Sequence, residues 1–219
     1  MIGKGKSISH GVAALEYDLA KEIDGQAAAT EIARHELYGC TGAEMVQEMK
    51  PYHIDFPNVK NNCLRFEVSP SIEESATFTD ADWAELGNDF MQRMGLANHQ
   101  YIIIRHSGTE SKKEQAHLHI LANRVSLSGE LYRDNWIGKK ATEAANAIAK
   151  ERNFVQSQDI GKVNKAEIKE AMDGVLKKMQ GFDFTKFKEE LGKRGFKVRE
   201  ARASTGKLNG YYVTARSGT

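Results

Sequence analysis

Gln100-Tyr-Ile-Ile-Ile-Arg-His106 and His117-Leu-His-Ile-Leu-Ala-Asn-Arg-Val125, with the polar stretch Ser107–Ala116 between them, decide the fold of this chain. Both runs are short, apolar and rich in Ile, Val and Tyr, so they read as two strands of one antiparallel hairpin. Side chains two apart on a strand share a face, so His117 and His119 point the same way, while Leu118 and Ile120 point to the opposite face and pack under helices. Residues bordering a hairpin loop sit opposite one another, which brings His106 to the same side as His117. Three imidazoles then converge on one point of a rigid platform. Neutral nitrogen ligands at about 2.0–2.3 Å, with further positions left open, make a good site for a divalent metal. A lone His-x-His pair would read as polar residues on a wet sheet face; the third histidine tips the reading to a metal. Such a site also fits hydrolytic zinc, and residues elsewhere must decide.

Upstream, Lys4–Ser9 reads as a strand and Gly11–Ile23 as a helix with Val12, Leu15 and Leu19 near one face. A second helix is expected over Gly42–Lys50 through Met45, Val46 and Met49. Cys63–Ser69 alternates as a strand, with Leu64, Phe66 and Val68 on one side and Arg65 and Glu67 on the other. The clearest helix follows: Thr79 is an N-cap with Asp82 three residues on, Trp83, Leu86, Phe90 and Met94 form the stripe, and Gly95 ends it. Downstream, helices are expected at Thr142–Glu151, Lys165–Gln180 and Phe184–Lys193, and strands at Lys197–Ala201 and Tyr211–Ala215. Strands and helices do not alternate strictly. The expected fold is therefore α+β, a central antiparallel sheet of about five strands flanked by helices, with a basic C-terminal helical region and hairpin.

The chain has 219 residues, and its 40% hydrophobic and 28% charged fractions are those of an ordinary globular protein with one good-sized core. No apolar run approaches a membrane span, and the N-terminus lacks the apolar core of a signal peptide. Cys40 and Cys63 form neither a CxxC pair nor a disulfide framework, which points to a reducing cytoplasm. The net charge is only +1, but its distribution is uneven. From Ile160 to the end there are 14 Lys or Arg against 7 Asp or Glu, so the first 159 residues carry about −6. A basic surface at one end suits a polyanionic partner.

The hairpin, read as Arg105-His106, ten residues, then His117-Leu-His-Ile-Leu-Ala-Asn123-Arg124-Val125, resembles the third motif of relaxases, the mobilisation nucleases of the histidine–hydrophobe–histidine endonuclease superfamily. The likeness is closest to MobA/MobL-type relaxases, although the ten-residue spacer is several residues longer than their usual form. Three other stretches are similar to the family in the family's order. Ser7-Ile-Ser-His-Gly-Val-Ala-Ala-Leu-Glu-Tyr17 looks like its first motif. Phe66-Glu-Val-Ser-Pro through Phe78-Thr-Asp-Ala-Asp-Trp83 looks like its second strand and helix. Gly195-Phe-Lys-Val and Ser204-Thr-Gly-Lys-Leu-Asn-Gly look like its C-terminal hairpin.

The resemblance implies site- and strand-specific nicking and rejoining of DNA at a plasmid or transposon transfer origin. It makes Tyr17 the nucleophile, with Tyr38 as the rival, and His106, His117 and His119 the ligands of one divalent ion. Mg²⁺ or Mn²⁺ would support turnover, and Zn²⁺ or Ni²⁺ could occupy the site as purified. Glu67, on the polar side of its strand, would hydrogen-bond a ligand histidine, or be a surface carboxylate. Lys197, Arg199, Arg202 and Lys207, with Asn123 and Arg124 of the third motif, would contact DNA. His10, His35, His53 and His99 have no matching partners. The expected organisation is a single relaxase domain over 1–219, with a catalytic core at 1–160 and a basic DNA-binding extension at 161–219, excised from a longer parent. Expected partners are single-stranded origin DNA, accessory mobilisation proteins and a coupling protein. Other readings are a rolling-circle replication initiator and a DNA-binding module without chemistry on the same scaffold.

Overall fold

A computed structural model of the protein describes residues 1–108 and 115–215. Most of the expected loop Ser107–Ala116, and the closing Arg216–Thr219, therefore lie outside the described residues. Contacts divide the chain into two compact units, Met1–Ser157 and Gln158–Thr219. No helix among the described residues is long and apolar enough to cross a membrane.

The first unit is built on a five-stranded sheet of β1 (Ile2–Ile8), β4 (Ala29–His35), β5 (Cys63–Ser69), β6 (His99–His106) and β7 (His117–Ser126). The strand order is β1-β5-β7-β6-β4 and every pairing is antiparallel. This is the antiparallel α+β architecture read from the sequence, and β7, with its two histidines, is the central strand. The register sets His106 opposite His117, and His119 between Glu67 and Ile104, as the pleat of the hairpin requires.

Strand alternation sends two different cores to the two faces. Leu64, Phe66, Val68, Ile103, Leu118 and Ile120 pack against Trp83, Leu86 and Phe90 of α4 (Asp80–Arg93) and Ala141, Ala145 and Ile148 of α5 (Ile137–Glu151). Cys63, Ile102, Ile104 and Leu121 pack on the other side against α1 (Gly11–Leu19) and α2 (Gly42–Met49). Between α2 and α4 the chain also forms a short helix, α3 (Ile72–Ser75). On α4 the Thr79–Asp82 capping box is formed in both directions, and Gly95 takes the left-handed conformation (φ 71°) that ends the helix. The Ala-rich α5 lies directly on β1. A Cβ added to Gly3 would stand 2.6 Å from the Ala145 Cβ and against the Ala141 carbonyl, so only glycine permits this approach.

Several elements differ from the sequence reading. α1 stops at Leu19, and Asp24-Gly25, both at positive φ, turn a small hairpin of β2 (Glu22–Ile23) and β3 (Gln26–Ala27). The buried stripe of α1 is Gly11, Ala14, Leu15 and Asp18, while Val12 is exposed. Strand β4, unread in the sequence, forms the edge beyond β6. α5 starts five residues earlier than its alanine-rich half suggests.

The second unit holds nearly all of α6 (Ser157–Leu176), then α7 (Phe184–Lys193) and a hairpin of β8 (Phe196–Arg202) and β9 (Leu208–Ala215). Its own core is Ala171, Val175, Phe187, Leu191 and Val198, with Tyr211 stacked on Phe184 at 4.5 Å.

Candidate metal centre

The histidines lie on the α1/α2 face of the sheet, where alternation places imidazoles in line with Ile102, Ile104 and Leu121. His106, His117 and His119 each offer a nitrogen, and the three lie within 4.8 Å of one another. The Nε2 atoms of His117 and His119 are 3.2 Å apart, and the His106 and His119 ring centroids are 4.4 Å apart. Tetrahedral ligands at about 2.1 Å from an ion stand roughly 3.4 Å apart, so the cluster fits a small divalent metal.

Hydrogen bonds fix the tautomers that a metal needs. His106 Nε2 donates to the Asp18 carbonyl at 2.7 Å, leaving its Nδ1 lone pair free; His117 Nδ1 donates to the Gln115 carbonyl at 3.0 Å, leaving Nε2. The Nδ1 of His119 faces two groups, the Arg65 guanidinium at 3.2 Å and the Asp18 carboxylate at 3.7 Å. For His119 to ligate through Nε2 its proton must sit on Nδ1, where Asp18 is the acceptor at hand. Asp18 is buried and receives Arg65 in a two-pronged ion pair, Nε to Oδ2 at 3.0 Å and Nη2 to Oδ1.

Burial pushes the His106 pKa down, and burial together with the neighbouring imidazoles, Arg65 and Lys4 pushes His119 down to about 2. Burial likewise lowers His99, whose Nδ1 donates to the Asn123 carbonyl. These rings are neutral at pH 7, the form that binds metal. The unfolded chain protonates histidine near pH 6.5 while the folded chain resists, so acid favours unfolding. The urea midpoint of the metal-free protein is expected to fall between about pH 7 and pH 5, before carboxylates titrate, with each resisting ring adding a slope of up to about 1.4 kcal/mol per pH unit. A flat or rising midpoint across that window would contradict these protonation states.

The structure separates the other residues singled out in the sequence. Tyr17 stands on α1 next to Asp18, on the histidine face of the sheet, 60% exposed, with the Lys21 ammonium 5.7 Å from its ring centre. Tyr38 is far off: β4 runs away from His106, which pairs with Ala29, and Tyr38 lies beyond the strand's other end. Its hydroxyl donates to Glu36, which raises its pKa.

Glu67 pairs with His119 in register and its carboxylate takes Lys4 Nζ at 2.8 Å, while the Asp18 carboxylate lies 3.7 Å from His119 Nδ1. Asn123 and Arg124, expected as DNA contacts, are both engaged within the protein. Asn123 is fully buried and binds His53, Gln100, the Met49 carbonyl and the Val125 amide. Arg124 is spent on Asp134 and the Tyr132 and Asn61 carbonyls. Both tie the hairpin's far end to its surroundings.

In the second unit, Lys197 and Arg199 lie on the outward face of the β8–β9 ribbon beside exposed Tyr212, whose ring centre is 6.0 Å from Arg199. Lys207 is exposed at its turn, and Arg202 is paired with Glu200. Lys4, Lys6, Arg65, Glu67 and His119 line a cleft of about 190 Å³ at the metal centre.

Residues 17–154 match the family model of the MobA/VirD2-like relaxase nuclease domain. The chain belongs to this relaxase family. No curated protein matches the relaxase sequence. Among solved structures it is similar to the conjugative relaxase TrwC in complex with oriT DNA. The metal-bound form is 12% identical, with a TM-score of 0.41, and the match covers 94% of this chain and 74% of that one. The metal-free form is 10% identical (TM-score 0.42, 94% and 74% covered), and the copper-bound form 13% (TM-score 0.40, 94% and 75% covered).

Asp18 is the residue of this relaxase site that the sequence reading missed. Its signal was a carboxylate on the buried stripe of an otherwise apolar helix face, following Ala14 and Leu15.

Proposed function

We propose that this domain cuts and reseals one DNA strand at a transfer origin, with Tyr17 as nucleophile and His106, His117 and His119 as ligands of one divalent ion. The observation that carries the reading is the docking of α1 on the histidines. Asp18 meets His106 through its carbonyl and Arg65 through its carboxylate, so the neighbouring Tyr17 belongs to a helix fixed to the cluster. A bound divalent ion supplies Lewis-acid stabilisation of charge on the phosphoryl oxygens.

The Tyr17 oxygen attacks phosphorus and gives up its proton. The bond from phosphorus to the 3′ oxygen breaks, that oxygen leaves as a hydroxyl after taking up a proton, and a 5′-phosphotyrosine remains. One ester replaces another, so the strand can be rejoined by the reverse attack without ATP. Arg65, Lys4 and Lys6 give the cleft positive charge to receive the phosphates flanking the scissile one. Asp18 keeps the His119 ring oriented and, through Arg65, keeps a cation beside the phosphate path.

Residues 1–160 form the catalytic core in this reading, and 161–219 bind DNA. Reversing Lys197, Arg199 and Lys207 to Glu is expected to weaken DNA binding and flatten its dependence on salt, because fewer counterions are released. An unchanged slope of log affinity against log salt would place the DNA elsewhere. The proposal as a whole is tested by incubating the protein with single-stranded origin DNA and Mn²⁺ or Mg²⁺, then denaturing. A protein–DNA adduct that survives denaturation, joined to the 5′-phosphate end that the cut creates, is expected. A module that only binds DNA would shift the oligonucleotide and leave no adduct.

A further inference from the structure

Trp136 has a conformation and a setting that the fold does not need. It is 80% exposed, whereas the other tryptophan, Trp83, is 2% exposed in the core. Its backbone is in the left-handed region (φ 60°, ψ 27°), which a bulky side chain rarely adopts. The backbone is pinned on both sides. Asp134 is held by Arg124 and Ser7, its carbonyl accepts from Ile137, and the Trp136 carbonyl accepts from Lys140. The indole is thus held out in solvent at the start of α5 by a strained, well-anchored turn.

Its surroundings favour a nucleic acid over a protein partner. Trp136 borders a concavity of about 270 Å³ with Lys139, Lys140 and Glu143, and exposed Arg133 lies three residues before it. Lys140 spans the Tyr132 ring at 4.9 Å, so a second aromatic lies under the same cation. A protein-docking patch would present contiguous apolar surface. Here, among the described residues, the large exposed apolar group is one indole set among three cations and one carboxylate.

The position also suits a strand that passes the histidines. A Cβ on Gly138, in the first turn of α5, would lie 3.5 Å from the Gly5 carbonyl of β1. Lys4, Gly5 and Lys6 of that strand border the cleft that contains His119. β1 is an edge of the five-stranded sheet, so among the described residues of that sheet no strand lies beyond it.

We propose that Trp136 is a stacking platform for one base of the DNA strand, with Lys139 and Lys140 holding the adjoining backbone. The assignment rests on the reading of the domain as a DNA nuclease. An exposed indole stacks on any base through its π-face, so the contact positions the strand without reading its sequence.

The two tryptophans make the test direct. A labelled thymidine homopolymer at low salt is titrated into the protein. Anisotropy of the label reports binding, and acrylamide quenching reports the exposed indole. Binding is expected to shield Trp136 from acrylamide by at least about half. In Trp136→Phe only buried Trp83 still emits, and its quenching is expected not to change. Trp136→Ala should lose affinity about tenfold, while Trp136→Phe keeps most of it because a phenyl ring also stacks. Trp136→Gly should lose affinity as Ala does and yet unfold at higher urea, since glycine relieves the positive φ; this separates lost contact from lost fold. An abasic strand of the same length should bind wild type and Trp136→Ala equally.

If the homopolymer binds while acrylamide quenching and the affinity of Trp136→Ala stay at the wild-type values, the platform is refuted and the nuclease reading stands. A tenfold loss on the abasic strand as well would also refute stacking and leave the indole as a contact to backbone. Wild-type protein that binds no strand at all would overturn the nuclease reading and this assignment with it.

Discussion

Tyr17→Phe should bind DNA and metal as the parent does and form no covalent adduct. The substitution removes one oxygen from a side chain that is 60% exposed, and the cation over the ring keeps an aromatic face to sit on. Nothing in the packing of α1 depends on that oxygen, because the helix is held by Ala14, Leu15 and Asp18. Loss of a nucleophile removes a covalent step outright, so adduct formation should fall by at least about 10³-fold. Tyr38→Phe should nick normally, since Tyr38 lies past the end of β4 remote from His106. The physical requirement is reach: a phenol must approach a phosphate bound at the imidazoles, and α1 is the helix that touches them. The helix can shift when DNA enters, so the apo position of the oxygen sets no limit. An adduct from Tyr17→Phe at the parent rate, with none from Tyr38→Phe, would falsify the assignment.

The histidine cluster was legible because strand geometry leaves little freedom. Once Gln100–His106 and His117–Val125 are paired as a hairpin, period-two alternation and the loop-flanking position place three rings on one face without tertiary information. Helix α4 was legible for a similar reason, since Thr79, Asp82 and Gly95 are local signals and its stripe is regular. Strand β4 was not. Ala29-Thr-Glu-Ile-Ala-Arg-His35 carries charge and alanine and lacks clean alternation, as an edge strand can when one side meets solvent, and a bulge between Glu31 and Ala33 breaks its period. The Asp24-Gly25 pair did carry a turn signal, but the strands it joins are two residues each and leave no pattern.

Side-chain roles were less legible than element positions. Glu67 and Asp18 are both carboxylates, and the strand face recommended Glu67. What decides between them is that Lys4, directly across the β1–β5 pair, takes Glu67, while α1 lowers Asp18 onto Arg65 and the rings. That outcome depends on where a helix docks, which no local pattern encodes. Asn123 shows the same limit in reverse. A polar residue in a motif invites a reading as a ligand contact, yet its carbonyl and amide groups complete a buried network around His53 and Gln100, where an unpaired partner would be costly.

His119→Ala should abolish metal-dependent nicking and leave DNA affinity within a few-fold of the parent. His119 sits on the central strand, held between β5 and β6, and its ring is within hydrogen-bonding distance of His117 and Arg65. Among the described residues, the carboxylates at the ring are already engaged, Glu67 with Lys4 and Asp18 with Arg65. Two histidines would remain, and metal affinity should drop by more than the 10- to 100-fold typical of losing an outer partner. Asp18→Asn supplies that smaller loss for comparison. It keeps an oxygen for Arg65 but takes away the negative charge that would accept the His119 Nδ1 proton, so metal binding should weaken about 10- to 100-fold. The order parent, Asp18→Asn, His119→Ala is therefore expected in a metal titration followed by calorimetry. Excess Mn²⁺ should restore nicking to Asp18→Asn and not to His119→Ala, since the first lacks only orientation and the second lacks a ligand. Nicking by His119→Ala at the parent rate would show that the metal, and with it the scissile phosphate, is held by other residues.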